Sequence, residues 1–292
     1  MSPSDFIHPE DAAALQQMES IPGFSTLVKK VLAVGLENLQ YGVNMASTIR
    51  LSERQLPNLY KHLPPICQQL GIPEPELYLQ MDPNPNAWTY GDTHIYITLT
   101  SGLVEMMTDE ELDSVIAHEC GHILCRHVLY HTIAQWISSG LLSLGIIGSI
   151  ATPIEYALLY WSRKSELSAD RAASIVTSPE VVASVQARLS GGPADITSQI
   201  DMHEWARQAD EYDKIYNSNL WNKALQLTAI AKLDHPFSAV RVREIFKWAE
   251  SEPYKAIKRI GISSESTVKR CTSCGSPIDD DWHFCRNCGN RI

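Results

Sequence analysis

His118-Glu-Cys-Gly-His122 is the stretch whose residue types and spacing most directly suggest chemistry. Residues four apart on a helix project from one face, so the imidazoles of His118 and His122 can meet on one metal ion. Glu119, about 100° further round, points beside that ion. Zinc in hydrolytic sites commonly takes three protein ligands and keeps a position for a water whose pKa falls toward about 7. Glu119 would then take the water's proton as it attacks a peptide carbonyl, and pass it later to the leaving amine. The third ligand should come from another helix. Glu166-Leu-Ser-Ala-Asp170 offers it, with two acids one helical turn apart on a shared face. There Glu166 would ligate, while Asp170 accepts a hydrogen bond from a ligand histidine and fixes its tautomer. Taken alone, such an acid pair more often marks a solvated helix face. His127 and His131 continue at suggestive spacing on what reads as the same helix. With three ligands already in hand, they are expected to stay off the metal.

A second constellation sits at the C-terminus. Cys271-Thr-Ser-Cys274 and Cys285-Arg-Asn-Cys288, each followed by glycine, give four thiolates at the paired spacing of a tetrahedral structural zinc site. The segment is too short to bury a core, so metal binding would supply its folding energy. It resembles the short zinc-ribbon module. The expected metal content is therefore two zinc ions, one catalytic and one structural.

The elements that must position these residues follow from local pattern. Thr108-Asp-Glu-Glu111 fits a capping box and starts a helix at about Asp109 that carries the two histidines. Upstream, an amphipathic stretch from Leu27 to Leu39 and a helical pattern from Leu51 to Leu70 precede two runs of period-2 alternation, LYLQM and HIYITLT. With turn chemistry between them, these runs predict a small antiparallel sheet. Trp136 to Trp161 is nearly uncharged and is the one candidate for a membrane span, yet Gly140, Gly145, Gly148 and Pro153 interrupt it. A single crossing there would put two halves of one metal site on opposite sides of a bilayer. A buried core helix with another beginning near Pro153 is the preferred reading, with membrane contact as its alternative. A further helix is expected from His235-Pro236 to about Glu250, followed by a polar linker, GISSESTVKR.

Composition bounds the rest. The 292-residue chain has 44% hydrophobic and 20% charged residues, ordinary for a folded protein with a proper core. A net charge of −10 and the lack of a Lys/Arg cluster speak against nucleic acid as a partner. Four of the seven cysteines lie in the two paired motifs, which points to a reducing compartment, and Cys67, Cys120 and Cys125 read as small buried hydrophobes. The N-terminal residues carry acids where a secretory signal has a basic segment, so the expected location is the cytoplasm.

The ordered set Asn86-Ala87, Gly102-Leu103, Thr108 to Leu112, His118 to His122, Arg126-His127, Glu166 to Asp170 and His235-Pro236 followed by Arg241 resembles the M48 family of zinc peptidases. The resemblance implies that His118, His122 and Glu166 are ligands, Glu119 the base and Asp170 a support behind them. It also implies that His235 donates to the oxyanion, and that Asn86 and Ala87 belong to an edge strand that pairs with an extended protein or peptide substrate. Arg241 is implied as a substrate contact, with a structural ion pair as the alternative. The combined expectation is a mainly α-helical metallopeptidase domain with a small antiparallel β-sheet over residues 1–258, a linker over 259–270 and a four-cysteine zinc ribbon over 271–292. Its activity would be that of a zinc metalloendopeptidase. The rival reading is a non-catalytic adaptor whose ribbon binds protein or nucleic acid.

Overall fold

The computed structural model describes residues 1–33, 35–138, 151–217 and 237–266. His235 and the four ribbon cysteines, Cys271, Cys274, Cys285 and Cys288, lie outside the described residues, as do Gly140, Gly145 and Gly148. In chain order come helices α1 (Pro9–Glu19), α2 (Phe24–Ala33) and α3 (Leu36–Ser47), strand β1 (Ile49–Arg50), and helices α4 (Pro57–Tyr60) and α5 (Leu63–Leu70). Strands β2 (Glu76–Gln80), β3 (Ala87–Tyr90) and β4 (Tyr96–Thr100) follow, then α6 (Ser101–Met106), α7 (Asp109–Leu124), α8 (Val128–Ser138) and α9 (Ala151–Val176). The described remainder is α10 (Pro179–Gly191), α11 (Ala194–Thr197), α12 (Met202–Asn217), α13 (Ser238–Glu250) and α14 (Glu252–Ser266). The chain divides into two compact units, Met1–Trp248 and Ala249–Ile292.

The sheet runs in the order β1-β2-β4-β3. Period-2 alternation locates its strands but not their order. Because β4 inserts between β2 and β3, a chain that reverses twice returns parallel to β2, so the sheet is mixed: β1–β2 and β3–β4 are antiparallel and β2–β4 is parallel. The fully antiparallel expectation is corrected on that one pairing. All five residues of β4 are buried, as a central strand covered on both faces requires. β3 is left at the edge.

Other boundaries shift for local reasons. Gly35, with φ of 71°, separates the predicted Leu27–Leu39 helix into α2 and α3. The Leu51–Leu70 pattern delivers only α4 and α5, with Leu56 in the left-handed region ahead of Pro57 fixing where the first of them starts. Residues 259–266, part of the expected linker, continue α14, which meets no proline between Pro253 and Ser266. Ala151–Val176 is one helix with Pro153 in its first turn, so the second half of the apolar stretch leads straight into Glu166. Among the described residues, no helix is long and apolar enough to cross a membrane.

The centre of the fold is the packing of α7 on α9, where His118, Gly121 and His122 face Glu166, Ala169 and Ala172. A Cβ built on Gly121 would lie 2.8 Å from the Ala172 Cβ and 3.1 Å from the Ala169 Cα, closer than packed atoms tolerate. Glycine at this position thus sets how near the histidines come to Glu166. Gly121→Ala is expected to force the helices apart. The strain of about 1–3 kcal/mol outweighs the roughly 1 kcal/mol that alanine gains in helix propensity. Thermal unfolding and zinc titration of the variant check this, and a variant with raised midpoint and unchanged zinc affinity would disprove it.

Candidate metal centre

The helix that carries the histidines begins and ends by recognisable local chemistry. Thr108 accepts from the Glu111 amide while Glu111 accepts from the Thr108 amide, completing the expected capping box. The buried Glu111 carboxylate also takes hydrogen bonds from Ser184 and Arg188, tying α10 to the start of α7. At the far end, the Arg126 amide donates to the Ile123 carbonyl and the His127 amide to the His122 carbonyl, the pair of bonds of a Schellman motif. Arg126 occupies the left-handed position usually given to glycine, with φ of 60°. The helix expected to run on through His127 and His131 therefore stops, and both residues belong to a new direction set by α8.

On α7 and α9 the expected constellation is assembled. His118 Nε2 lies 3.2 Å from His122 Nε2 and 3.3 Å from Glu166 Oε2, and His122 Nε2 lies 3.3 Å from Glu166 Oε1. A tetrahedral zinc with ligand bonds of about 2.0–2.1 Å sets its ligand atoms about 3.3–3.4 Å apart along each edge. The two imidazole nitrogens meet at that spacing, and each has one oxygen of the Glu166 carboxylate at 3.3 Å, so the three side chains converge as ligands of one ion would.

Asp170, a turn beyond Glu166, sits 3.0 Å from His118 Nδ1 with its Oδ1, so the Nδ1–H donates to it and Nε2 is left as the ligating nitrogen. Burial opposes an imidazolium at His118, but the Asp170 and Glu166 carboxylates outweigh it and push the pKa up to about 10. A proton on that ring and a metal ion compete for the same lone pair.

Arg241, at the wall of the smaller cavity beside the centre, is held in a buried ion pair with the two acids. It is 5% exposed, donates from Nε to Asp170 Oδ2 at 2.7 Å and from Nη2 to Asp170 Oδ1 at 2.5 Å, and places Nη1 3.1 Å from Glu166 Oε2. Burial would raise the Asp170 pKa, but the guanidinium holds it below the usual carboxylate value. All three nitrogens are spent on two acids that would otherwise repel each other.

Glu119 is buried beside the pair. Its Oε2 accepts from the Thr89 hydroxyl on β3 at 2.6 Å. Ala87 opens β3 with Asn86 just ahead of it, and the Ala87 amide donates to the Asn86 side-chain oxygen. Two cavities meet here, of about 350 and about 270 Å³, and Asn86, Ala87, His118, Glu119 and Glu166 line both.

Three residues near the centre were missed by sequence reasoning. Thr89 left no signal beyond its place on a strand. His127, expected to stay off the metal, places its Nδ1 3.1 Å from His122 Nδ1 and its Nε2 3.1 Å from Asp11 Oδ2. Asp11 on α1 is fully buried with Ala14 and Met18, so an acid at i, i+3, i+7 spacing on an apolar face was the available signal. Among the leftover cysteines, Cys67 and Cys120 are buried as expected and Cys125 is half-buried.

Residues 52–249 match the family model described as Peptidase family M48, and residues 270–292 match that of the zinc-ribbon domain. The chain is 34% identical over 271 residues to the plastoglobule-localized metallopeptidase 48, chloroplastic, of Arabidopsis thaliana, covering 91% of this chain and 78% of that one. It is 30% identical over 167 residues to a protease HtpX homolog of Tropheryma whipplei, covering 54% of this chain and 55% of the relative, and 24% identical over 259 residues to one of Ralstonia pickettii, covering 77% and 88%. A family match that contains α7, α9 and Arg241, together with a relative similar over nine-tenths of the sequence, means that the chain belongs to peptidase family M48, a family of metallopeptidases, and carries a zinc-ribbon module at its C-terminus.

Proposed function

We propose that the chain is a zinc-dependent endopeptidase, and the observation that supports this most is the convergence of His118, His122 and Glu166 on one point, with the two imidazole nitrogens 3.2 Å apart and each 3.3 Å from a Glu166 oxygen. Zinc held by these three residues would supply Lewis acidity and lower the pKa of a water beside it. Glu119, whose carboxylate Thr89 holds beside the histidines, would act as the general base that accepts a proton from water and returns it to the departing amine. His235 is proposed, from the family resemblance, as the donor to the oxyanion. An extended chain adds to the free edge of β3 at Asn86 and Ala87, and the cavities on both sides of the centre leave room for residues either side of an internal peptide bond. Cys271, Cys274, Cys285 and Cys288 hold a second, structural zinc, and the ribbon is a surface for a protein partner. A reducing compartment such as the cytoplasm keeps those thiols competent for metal.

The test is cleavage of casein, an unfolded protein. Activity should vanish with a chelator and return with added zinc. A chain that binds zinc but never cuts casein or any other unstructured polypeptide would favour the adaptor.

The two metal sites should be separable. A chain lacking residues 267–292 is expected to hold one zinc where the full chain holds two, with hydrolysis of an unstructured peptide kept within a few-fold. Metal analysis decides it: two zincs in the truncated chain would show the ribbon assignment to be wrong.

A further inference from the structure

The two proposed histidine ligands are supported differently. His118 leans directly on a carboxylate of α9, whereas behind His122 stands a second histidine and, behind that, an acid from the N-terminal helix. Asp11 lies outside the span matched to the family and is 0% exposed. A buried charge is tolerated only when paired and hydrogen-bonded. Its Oδ1 accepts from Trp161 Nε1 at 3.0 Å, and its Oδ2 accepts from the Ser168 hydroxyl at 2.6 Å and faces His127 Nε2 at 3.1 Å. Trp161 and Ser168 belong to α9, the helix that also carries Glu166. The N-terminal segment is further latched to α9 where the His8 amide donates to Ser168 and Arg171 donates to the Phe6 and Ile7 carbonyls.

We propose that Asp11, His127 and His122 form a hydrogen-bonded relay through which the N-terminal helix orients the second zinc ligand. The proton positions are determined by consistency. If His122 Nε2 faces the metal, its Nδ1 carries a hydrogen and must donate it. The atom it meets at 3.1 Å is His127 Nδ1, which must therefore be the acceptor. His127 then holds its own hydrogen on Nε2, the nitrogen that lies 3.1 Å from Asp11 Oδ2. Along His122, His127 and Asp11 no two donors face each other. His122, His127 and His131 also lie close enough for a metal ion of their own. Such an ion would need lone pairs that the relay commits elsewhere, and His131 Nε2 is already 2.7 Å from the Ser165 hydroxyl. Asp11 and His127 are positioning residues, acting through His122 and touching no substrate.

This rests on the proposed zinc site, so the first measurement is zinc stoichiometry and location in the wild-type chain. Absence of zinc at His118, His122 and Glu166 would overturn that reading together with the relay. With zinc bound, nitrogen-15 NMR of the wild-type protein should show His127 hydrogenated on Nε2 and bare on Nδ1; the opposite tautomer overturns the relay without any variant. Asp11→Asn and His127→Gln are then expected to weaken zinc affinity at the catalytic site about 10- to 100-fold, with kcat falling and KM little changed. Arg171→Gln loosens the same N-terminal segment without touching the relay and should leave zinc affinity within a few-fold. Wild-type affinity in folded Asp11→Asn and His127→Gln overturns the proposal. So does an extra zinc in the wild type that His127→Gln loses, since that would make the three histidines a metal site.

Discussion

Glu119→Gln should keep the zinc content of wild type and the fold while peptide hydrolysis drops by about 100- to 10,000-fold, the range that a positioned base contributes. Glutamine preserves the shape and the contact with Thr89 Oγ1 but cannot take a proton from water. Glu119 is no part of the His118, His122 and Glu166 triangle, so metal content isolates the chemical role from the ligand role. Steady-state cleavage of an unstructured peptide, measured alongside zinc content and circular dichroism, gives the answer. Full activity in a zinc-loaded Gln variant would sink the mechanism. Loss of zinc along with activity would instead move Glu119 into the ligand set.

How much of this centre was legible depended on whether its information is local. The capping box at Thr108, the i, i+4 histidines and the i, i+4 acids are all statements about one helical turn, and the structure realises each one. The edge position of β3 came only by family resemblance, because strand order is a property of the whole sheet. That same non-locality explains the parallel β2–β4 pairing that alternation could not give. Arg126 is a different kind of failure: a left-handed residue with a large side chain stops α7 where no glycine announces it, so nothing local says that His127 lies beyond the helix end. Asp11 lies more than a hundred residues from its partners on α9 and beside α8. Its pattern on α1 says that something buried must meet its charge, and only the folded chain says what.

Arg241 is where the second large effect is expected. Arg241→Met keeps an apolar stem in a buried slot but removes the cation that both Asp170 and Glu166 use. Two carboxylates one turn apart on α9, each about 3% exposed, would then face each other without it. Removing one member of a buried charged set costs about 3–5 kcal/mol, mostly as desolvation no longer offset by a partner. In the metal-free protein, a loss of that size should be read directly in denaturant unfolding. Zinc changes the sum. A divalent cation beside Glu166 supplies part of the missing positive charge, so the zinc-loaded variant should lose less than the metal-free one, and the gap between the two states should widen relative to wild type. Arg241→Lys should fall in between, since an ammonium restores the charge but not the two parallel hydrogen bonds to Asp170. If metal-free Arg241→Met unfolds within about 0.5 kcal/mol of wild type, an ordinary surface-like effect, then the guanidinium is not what makes the acid pair tolerable, and another group must compensate it.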